Sequence, residues 1–145
     1  MPAGSRTDPY SRFNFLLEIG GVTQAGFSEV SGLDSETEVI EYREGGDKRN
    51  TPRKIPGLTR YGNLVLKRGL TNDHSLWDWR NNVVNGVADR RNVSLVLLDE
   101  SRNEVLRWNF FNAWPCKWEG PLLRAKSNEV AIEALELAHE GIELA

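Results

Sequence analysis

A lone cysteine, Cys116, among 145 residues leaves no intramolecular partner for a disulfide. Such usage fits synthesis in a reducing cytosol. Histidine is equally scarce: only His74 and His139 occur, and no His-x-x-x-His or Cys-x-x-Cys spacing offers a metal site. The paired glycines lack the following Lys-Ser/Thr of a phosphate-cradling loop, so they are read as turns. No apolar run approaches the roughly 18 residues that span a bilayer, and no membrane anchor is expected. Met1 to Asp8 is short and polar, without the apolar segment of a secretory signal. A basic excess is missing too, and the net charge of −3 argues against a dedicated nucleic-acid binder. No grouping of nucleophile, base and acid stands out. Neither catalysis nor a cofactor or metal is expected.

What remains is the composition of a folded chain, 39 % hydrophobic and 27 % charged. Its length suits one domain over residues 1–145, able to bury about 68–70 % of its unfolded surface. Residues 1–9 read as a flexible tail. Phe13, Phe15, Leu17 and Ile19 alternate with Arg12, Asn14 and Glu18, the period of a half-buried strand. Gly20-Gly21 has the form of a two-residue hairpin turn, and Val22 to Val30 is the return run, closing at Ser31-Gly32. Leu64 and Leu66 share a face of a strand over Asn63 to Arg68. One helix is expected from about Asp73 to Asn85, capped by Thr71, Asn72 or Asp73 and followed by Gly86. Its apolar stripe is Leu76, Trp79, Val83 and Val87, while Asp78, Arg80 and Asn82 should stay wet. Strands follow at Val93 to Leu98, apolar on both faces and so covered on both, and at Val105 to Trp114. Phe13, Phe15, Leu17 and Ile19 are expected to meet Leu95, Leu97, Trp108 and Phe110 in the core.

The run Asn128 to Leu137 fits two patterns. Glu129, Glu133, Glu136 and Glu140 fall at helical spacing, and Ala, Glu and Leu favour helix. Val130 and Ile132 also alternate with Glu129 and Glu133, as in a strand with one wet face. Spacing alone places helix ahead.

The most informative stretch is Ser35 to Arg60, which reads as an arm leaving a globular β domain. Asp34 to Glu44 carries net −4 and Asp47 to Arg60 net +4, with Gly45-Gly46 between them. Few large apolar residues occur in it, namely Val39, Ile40, Tyr42, Ile55 and Leu58. An element this polar does not recover its ordering entropy, roughly 1–2 kcal/mol per residue, by itself. It is mobile or ordered against another subunit. A solvated surface hairpin is the plainer alternative, but segregation of sign suits docking onto a complementary copy. A tight turn at Gly45-Gly46 would oppose Glu44 to Asp47 and Arg43 to Lys48, like charges that a ladder disfavours. The same register pairs Glu38 with Arg53. A loose tip over Glu44 to Asn50 is therefore expected. Pro52 and Pro56 are expected to block regular pairing on the return path.

Other polar residues have plainer readings. His74 and His139 are read as satisfied surface residues, and Cys116 as a thiol without a catalytic partner. Trp77 and Trp79 near Arg80, Arg90 and Arg91 are read as pinning the helix to a sheet, not as a stacking platform for single strands. Asn92-Val93-Ser94 matches a glycosylation sequon, which carries little weight without a secretory signal.

Several blocks occur in a specific order: Asp8-Pro-Tyr-Ser-Arg-Phe-Asn-Phe15, Ala25-Gly-Phe-Ser-Glu-Val-Ser-Gly-Leu33, Glu36-Thr-Glu-Val-Ile-Glu-Tyr-Arg-Glu-Gly-Gly46 and Lys54-Ile-Pro-Gly-Leu-Thr-Arg-Tyr-Gly62. Leu66-Lys-Arg-Gly69, Asn112-Ala-Trp-Pro115, Asn128-Glu-Val-Ala-Ile-Glu133 and His139-Glu-Gly141 continue the series. Together they cover nearly the whole chain, and the ordered set resembles the inner-tube proteins of contractile injection systems. The resemblance implies a mainly β fold, a small two-sheet barrel or sandwich with one flanking helix, here with an extended charged hairpin arm. It implies six-copy rings whose strands close a larger barrel around a lumen, stacked into a tube that a contracting sheath drives through an envelope. It also implies that Asn128 to Leu137 is a strand, against the local spacing. In that frame Glu36, Glu38, Glu41, Glu44, Lys48, Arg49, Arg53 and Lys54 are expected at a ring-stacking interface. Glu129 and Glu133 are expected to face the lumen.

The implied partners are further copies of the chain, sheath, baseplate and tube-cap proteins, and protein cargo in the lumen, with DNA passing only in a phage. Synthesis is expected in the cytoplasm, followed by assembly into a particle that acts outside. The Glu-Tyr-Arg-Glu-Gly-Gly and His-Glu-Gly phrasing favours the extracellular particles over phage virions. A type VI-like secreted tube that carries effectors, and a small-ligand-binding β-barrel, are the other classes considered.

Overall fold

The computed structural model describes residues 14–24, 26–126 and 130–145. β1 (Asn14–Ile19) turns into β2 (Val22–Gln24) through Gly20 and Gly21, both at positive φ (60° and 82°). A two-residue hairpin that follows strand twist needs those signs, and Ile19 lies opposite Val22 as a result. The return does not run on to Val30. Gly26, at φ 87°, breaks it, and β3 (Phe27–Ser31) joins a different part of the sheet.

The remaining elements are β4 (Ser35–Tyr42), β5 (Arg53–Tyr61), β6 (Leu64–Gly69), α1 (Ser75–Val84), β7 (Arg91–Leu98), β8 (Glu104–Glu119), β9 (Ile132–Ala138) and β10 (Gly141–Leu144). One sheet runs in the order β2-β1-β7-β8-β9-β6-β3, with β10 also on β8, while β4 and β5 form a separate two-stranded ribbon. β8 is 16 residues long and serves both halves of the large sheet. Its first part pairs with β7 and its last part with β9, and Asn112 at φ 53° marks the passage. Asparagine tolerates that left-handed conformation better than most residues. The two halves therefore face each other as a sandwich, not a closed barrel.

Both halves feed one core. Leu17, Ile19, Val93, Leu95 and Phe110 from one side meet Leu64, Leu66, Leu135 and Leu137 from the other, with Leu76 and Trp79 of α1 inserted. Most of the expected core is present, but Phe15 and Trp108 are only half-buried, and Phe13 lies outside the described residues. β7 is buried on both faces as its composition requires, since Val96 and Leu98 are as hidden as Leu95 and Leu97.

α1 begins two residues later than its spacing predicts. The N-cap is His74, without a side-chain cap bond, and not Thr71, Asn72 or Asp73 as expected. The Asp73 carboxylate, one residue before it, accepts from the Ser75 amide at 3.0 Å, and this bond is the main reason its carboxyl titrates below the ordinary value. Gly86, at φ 84°, ends the helix. That turn carries Val87 off the apolar stripe into solvent. Arg80 and Asn82, expected wet, are half-buried, because Arg80 donates to the Pro115 carbonyl (3.2 Å) and Asn82 to Asp89 (3.2 Å).

Residues 132–138 form a strand, as the family resemblance implied, against the helical spacing of its glutamates. The phase of that strand is the reverse of the expected one. Leu135 and Leu137 point into the core opposite Leu66 and Leu64, and Glu133 shares their face opposite Arg68. Val130 and Ile132 are exposed instead. The two leucines have more apolar area to bury, and with a side-chain period of two they decide the face for every residue of β9.

Candidate assembly interface: the arm and its root

The ribbon pairs Tyr42 with Arg53, Glu41 with Lys54, Ile40 with Ile55 and Val39 with Pro56. After a bulge it continues with Thr37 opposite Thr59 and Glu36 opposite Arg60. This register differs from that of a tight turn at Gly45-Gly46, and residues 43–52 form a longer loop. The displacement has a clear electrostatic reason. β4 carries only acidic charges (Glu36, Glu38, Glu41) and β5 only basic ones (Arg53, Lys54, Arg60). The observed register opposes them, whereas the tight turn would oppose like charges near the tip. Arg53 meets Asp47 at 2.8 Å rather than Glu38. Asp47 also accepts from the Glu44 amide (3.0 Å), and Arg43 donates to the Arg49 carbonyl (3.1 Å), so the loop has its own bonding. Pro56 does not block the pairing. It sits inside β5, where a ribbon strand with a free edge can host a residue lacking an N–H.

Every residue of β4 is exposed, as is nearly all of β5. Among the described residues the ribbon pairs only with itself. Its two faces differ. Ile40, Ile55, Tyr42 and Arg53 lie together on one, while Val39, Pro56, Thr37, Thr59, Glu41 and Lys54 lie on the other. Lys48 and Arg49 lie in the tip loop.

Where the ribbon leaves the sandwich, Gly32, Asp34, Gly62 and His139, from three separate stretches of sequence, converge. Gly32 is at φ 90°, and a Cβ there would strike the Asn63 carbonyl. The Gly62 amide donates to the Asp34 carboxylate at 2.8 Å, and a Cβ on Gly62 would collide with that same carboxylate. The Gly62 carbonyl in turn accepts from His139 Nε2 at 2.8 Å, which places the imidazole proton on Nε2. His139 is thus no surface residue. Its ring lies between Tyr61 and Phe110, at centroid distances of 5.7 and 5.1 Å, and its Nδ1 is buried without a partner among the described residues. Sequence reasoning missed this cluster. The available signal was position, since the Gly32-Leu-Asp34 and Tyr61-Gly62 blocks sit at the two ends of the arm.

The second charged cluster lies within the sandwich. Arg68 is 3 % exposed, bonds Glu133 Oε1 at 2.8 Å, and donates to the Asp73 carbonyl at 3.0 Å. Trp118 Nε1 donates to the other Glu133 oxygen at 3.1 Å. Glu133 is therefore committed to internal partners, and its side chain is only 15 % exposed. Glu129 lies outside the described residues. Because Glu133 neutralises a buried guanidinium, Glu133→Gln is expected to cost about 1.5–3 kcal/mol, the range of a hydrogen bond to a charged group. Urea unfolding reads this directly. Parental stability would mean that Asp73 alone satisfies Arg68.

Cys116 is half-buried beside the Glu136 carbonyl (3.5 Å), and burial first, then the Glu136 charge, push its thiol above the ordinary value. It is a poor nucleophile there. No helix among the described residues is long and apolar enough to cross a membrane.

The architecture is that of a two-layer β sandwich with one helix and a projecting, self-paired ribbon. The chain belongs to the T4-like virus tail tube protein gp19 family, whose model matches residues 11–143. It is similar to a chain of the cryo-EM structure of an extracellular contractile injection system, the PVC sheath–tube complex in its extended state. There the identity is 26 %, the TM-score 0.84, and the match covers 94 % of this chain and 91 % of that one. A chain of the anti-feeding prophage tube-terminating cap matches at 26 % identity and TM-score 0.86, covering 97 % and 93 %. Hcp1 from Flavobacterium johnsoniae shares the fold, at 14 % identity and TM-score 0.55 over 90 % and 93 % of the two chains. None of the curated protein sequences matches. The chain is a structural subunit of a contractile injection system tube.

Proposed function

We propose that this chain builds the inner tube as rings of six identical copies, stacked end to end, with no catalytic role. The observation that carries this reading is the ribbon: it leaves the sandwich almost entirely exposed and pairs with no other strand among the described residues. Sheet edges support it as well. Among the described residues, in the half-sheet of β3, β6, β9 and the end of β8, β3 has one unpaired side. So do residues 114–119, apart from the Pro115 carbonyl that Arg80 covers. Two different free edges on one subunit suit a head-to-tail contact that closes around an axis, and closure would remove both. The similarity to chains of a sheath–tube complex and a tube cap supports a sheath around the tube, and a baseplate and cap at its ends, in a particle that acts outside the cell.

For stacking, Glu36, Glu38, Glu41 and Lys54 are opposed or flanked within the ribbon, and Arg53 is held by Asp47. Lys48 and Arg49, with Glu44, are then the tip charges that meet the next ring. For the lumen, Glu133 is spent on Arg68, so the polar wall comes from the outer faces of β6 and β9, where Lys67 and Glu136 lie. Single exposed pairs contribute only about 0–1 kcal/mol, but a tube repeats them in every subunit. Lys48→Glu with Arg49→Glu is expected to give rings but few long tubes by electron microscopy, and parental tubes should shorten as salt rises. Normal tubes from the double variant at every salt concentration would remove the tip from the stacking contact. A wild-type protein that stays monomeric would sink the whole assembly reading.

A further inference from the structure

One buried guanidinium gathers the whole half-sheet that carries the two free edges. Arg68 of β6 bonds Glu133 of β9 at 2.8 Å and donates to the Asp73 carbonyl, just ahead of α1, at 3.0 Å. The Asp73 carboxylate stands 3.6 Å from the same group, and the guanidinium lies over the Phe27 ring of β3, 5.8 Å from its centroid. The second Glu133 oxygen accepts from the Trp118 indole of β8 at 3.1 Å. The node thus joins β3, β6, β9, the end of β8 and the entry to α1.

A buried ion pair of this kind gives little net stability, because desolvating two charges offsets most of their attraction. What it does supply is a choice of register that the leucines do not make. The inward row of β6 is Leu64, Leu66 and Arg68, opposite Leu137, Leu135 and Glu133. The leucines decide which face lies inside, but a slip of two residues keeps the faces and still sets one leucine against another. In one direction Leu66 would meet Leu137 and Arg68 would meet Leu135. In the other Leu64 would meet Leu135 and Arg68 would meet Ala131. Either slip strands a buried charge, which is strongly unfavourable. At the far end of the ladder the His139–Gly62 bond is also a restraint, but a single neutral hydrogen bond is the weaker one.

The strand order β8-β9-β6-β3 places this seam between residues 114–119 and β3, the two free edges. A slip of two residues would offset one edge against the other by about 7 Å, at roughly 3.3–3.4 Å per residue. A sheet closes into a barrel only at a fixed stagger. A head-to-tail contact that fails to close runs on as an open helix. We propose that Arg68, acting through Glu133, is the positioning residue that fixes the stagger of the two edges and so makes closed rings, the rings themselves resting on the tube reading above.

The test variant is Arg68→Met with Glu133→Leu, which removes both charges together and gives the slipped rows apolar neighbours. Its free subunit should keep a urea midpoint close to the parental one, unlike Glu133→Gln, which strands Arg68. Its uniform rings should be lost from electron micrographs, with open or irregular polymers in their place. A covalent rescue then isolates register. Val65 and Glu136 are opposed on the outer face of the seam, and opposed Cα atoms, about 4.5–5.5 Å apart, lie within disulfide reach. Val65→Cys and Glu136→Cys are placed, with Cys116→Ser, in both the parental chain and the apolar variant. In free subunits the cystine should form fully in the first and incompletely in the second. Variant subunits that have closed it should regain rings, and reduction should abolish them again. Rings from the apolar variant as abundant as parental ones overturn the proposal. So do equal cystine yields in the two chains, or a closed cystine that fails to restore rings. A large drop in the urea midpoint of the variant would make Arg68 a stability element and overturn it too. A parental chain that makes no rings removes the tube reading instead, and the cystine yields of free subunits still decide the register.

Discussion

Gly32→Ala is expected to destabilise the subunit by about 3–5 kcal/mol and to release the arm from its root. The residue holds φ at 90°, where a side chain costs roughly 1–3 kcal/mol in backbone strain. The added Cβ would also meet the Asn63 carbonyl, a backbone group within the β5–β6 connection that has little room to retreat. Displacing that carbonyl disturbs the neighbouring Gly62, whose amide and carbonyl hold Asp34 and His139. The measurement is urea unfolding of the free subunit, with the near-ultraviolet signal of the aromatic cluster as a second probe. A variant with the parental midpoint and unchanged assembly would show that the root rearranges freely. Loss of tubes in a variant that is still folded would place the effect in arm geometry.

Phe110→Ala should have an equally large effect, about 3–5 kcal/mol, because a fully buried phenylalanine leaves both lost transfer energy and a cavity. Phe110 lies where the two halves of the sheet and the His139 ring meet, so collapse from one side is resisted by the other. Phe15→Ala is the instructive comparison. Phe15 is half-buried in a groove that it lines with Val30, Leu95, Leu97 and Trp108, and the free subunit should lose only about 1–2 kcal/mol, in proportion to the area it hides there. Equal losses at the two positions in the free subunit would mean that the groove is closed in solution. Both effects are large against the roughly 5–15 kcal/mol that holds a domain together.

Much of this fold was legible along the chain. The alternation of Leu17 and Ile19, the two glycines after them, the Leu76–Trp79 stripe and the glycine at 86 each specify a local conformation. The charged arm was recognisable by its polarity and by its signs. Its paired strands were less so, because Pro56 reads as a strand breaker where the fold leaves it a free edge. Other misses share one cause. His139, Asp34 and Gly62 are separated by up to 105 positions, and no local pattern joins them. Arg68 looks like the polar end of an alternating strand, and only the approach of β9 and α1 reveals it as a buried charge with named partners.

Local spacing therefore decided the kind of element and the place of the turns, since backbone sterics and side-chain period act within a few residues. It also decided that Ser35 to Arg60 would not fold onto the core, because the segment has too little apolar area to bury. Which face of β9 lies inside was left to the tertiary structure, and so was the register that sets Glu41 against Lys54. A strand has two phases that are equally good locally, and a shift by one residue exchanges its faces. Only long-range packing of Leu135 and Leu137 against Leu64 and Leu66, and the pairing of opposite charges across the ribbon, breaks that tie.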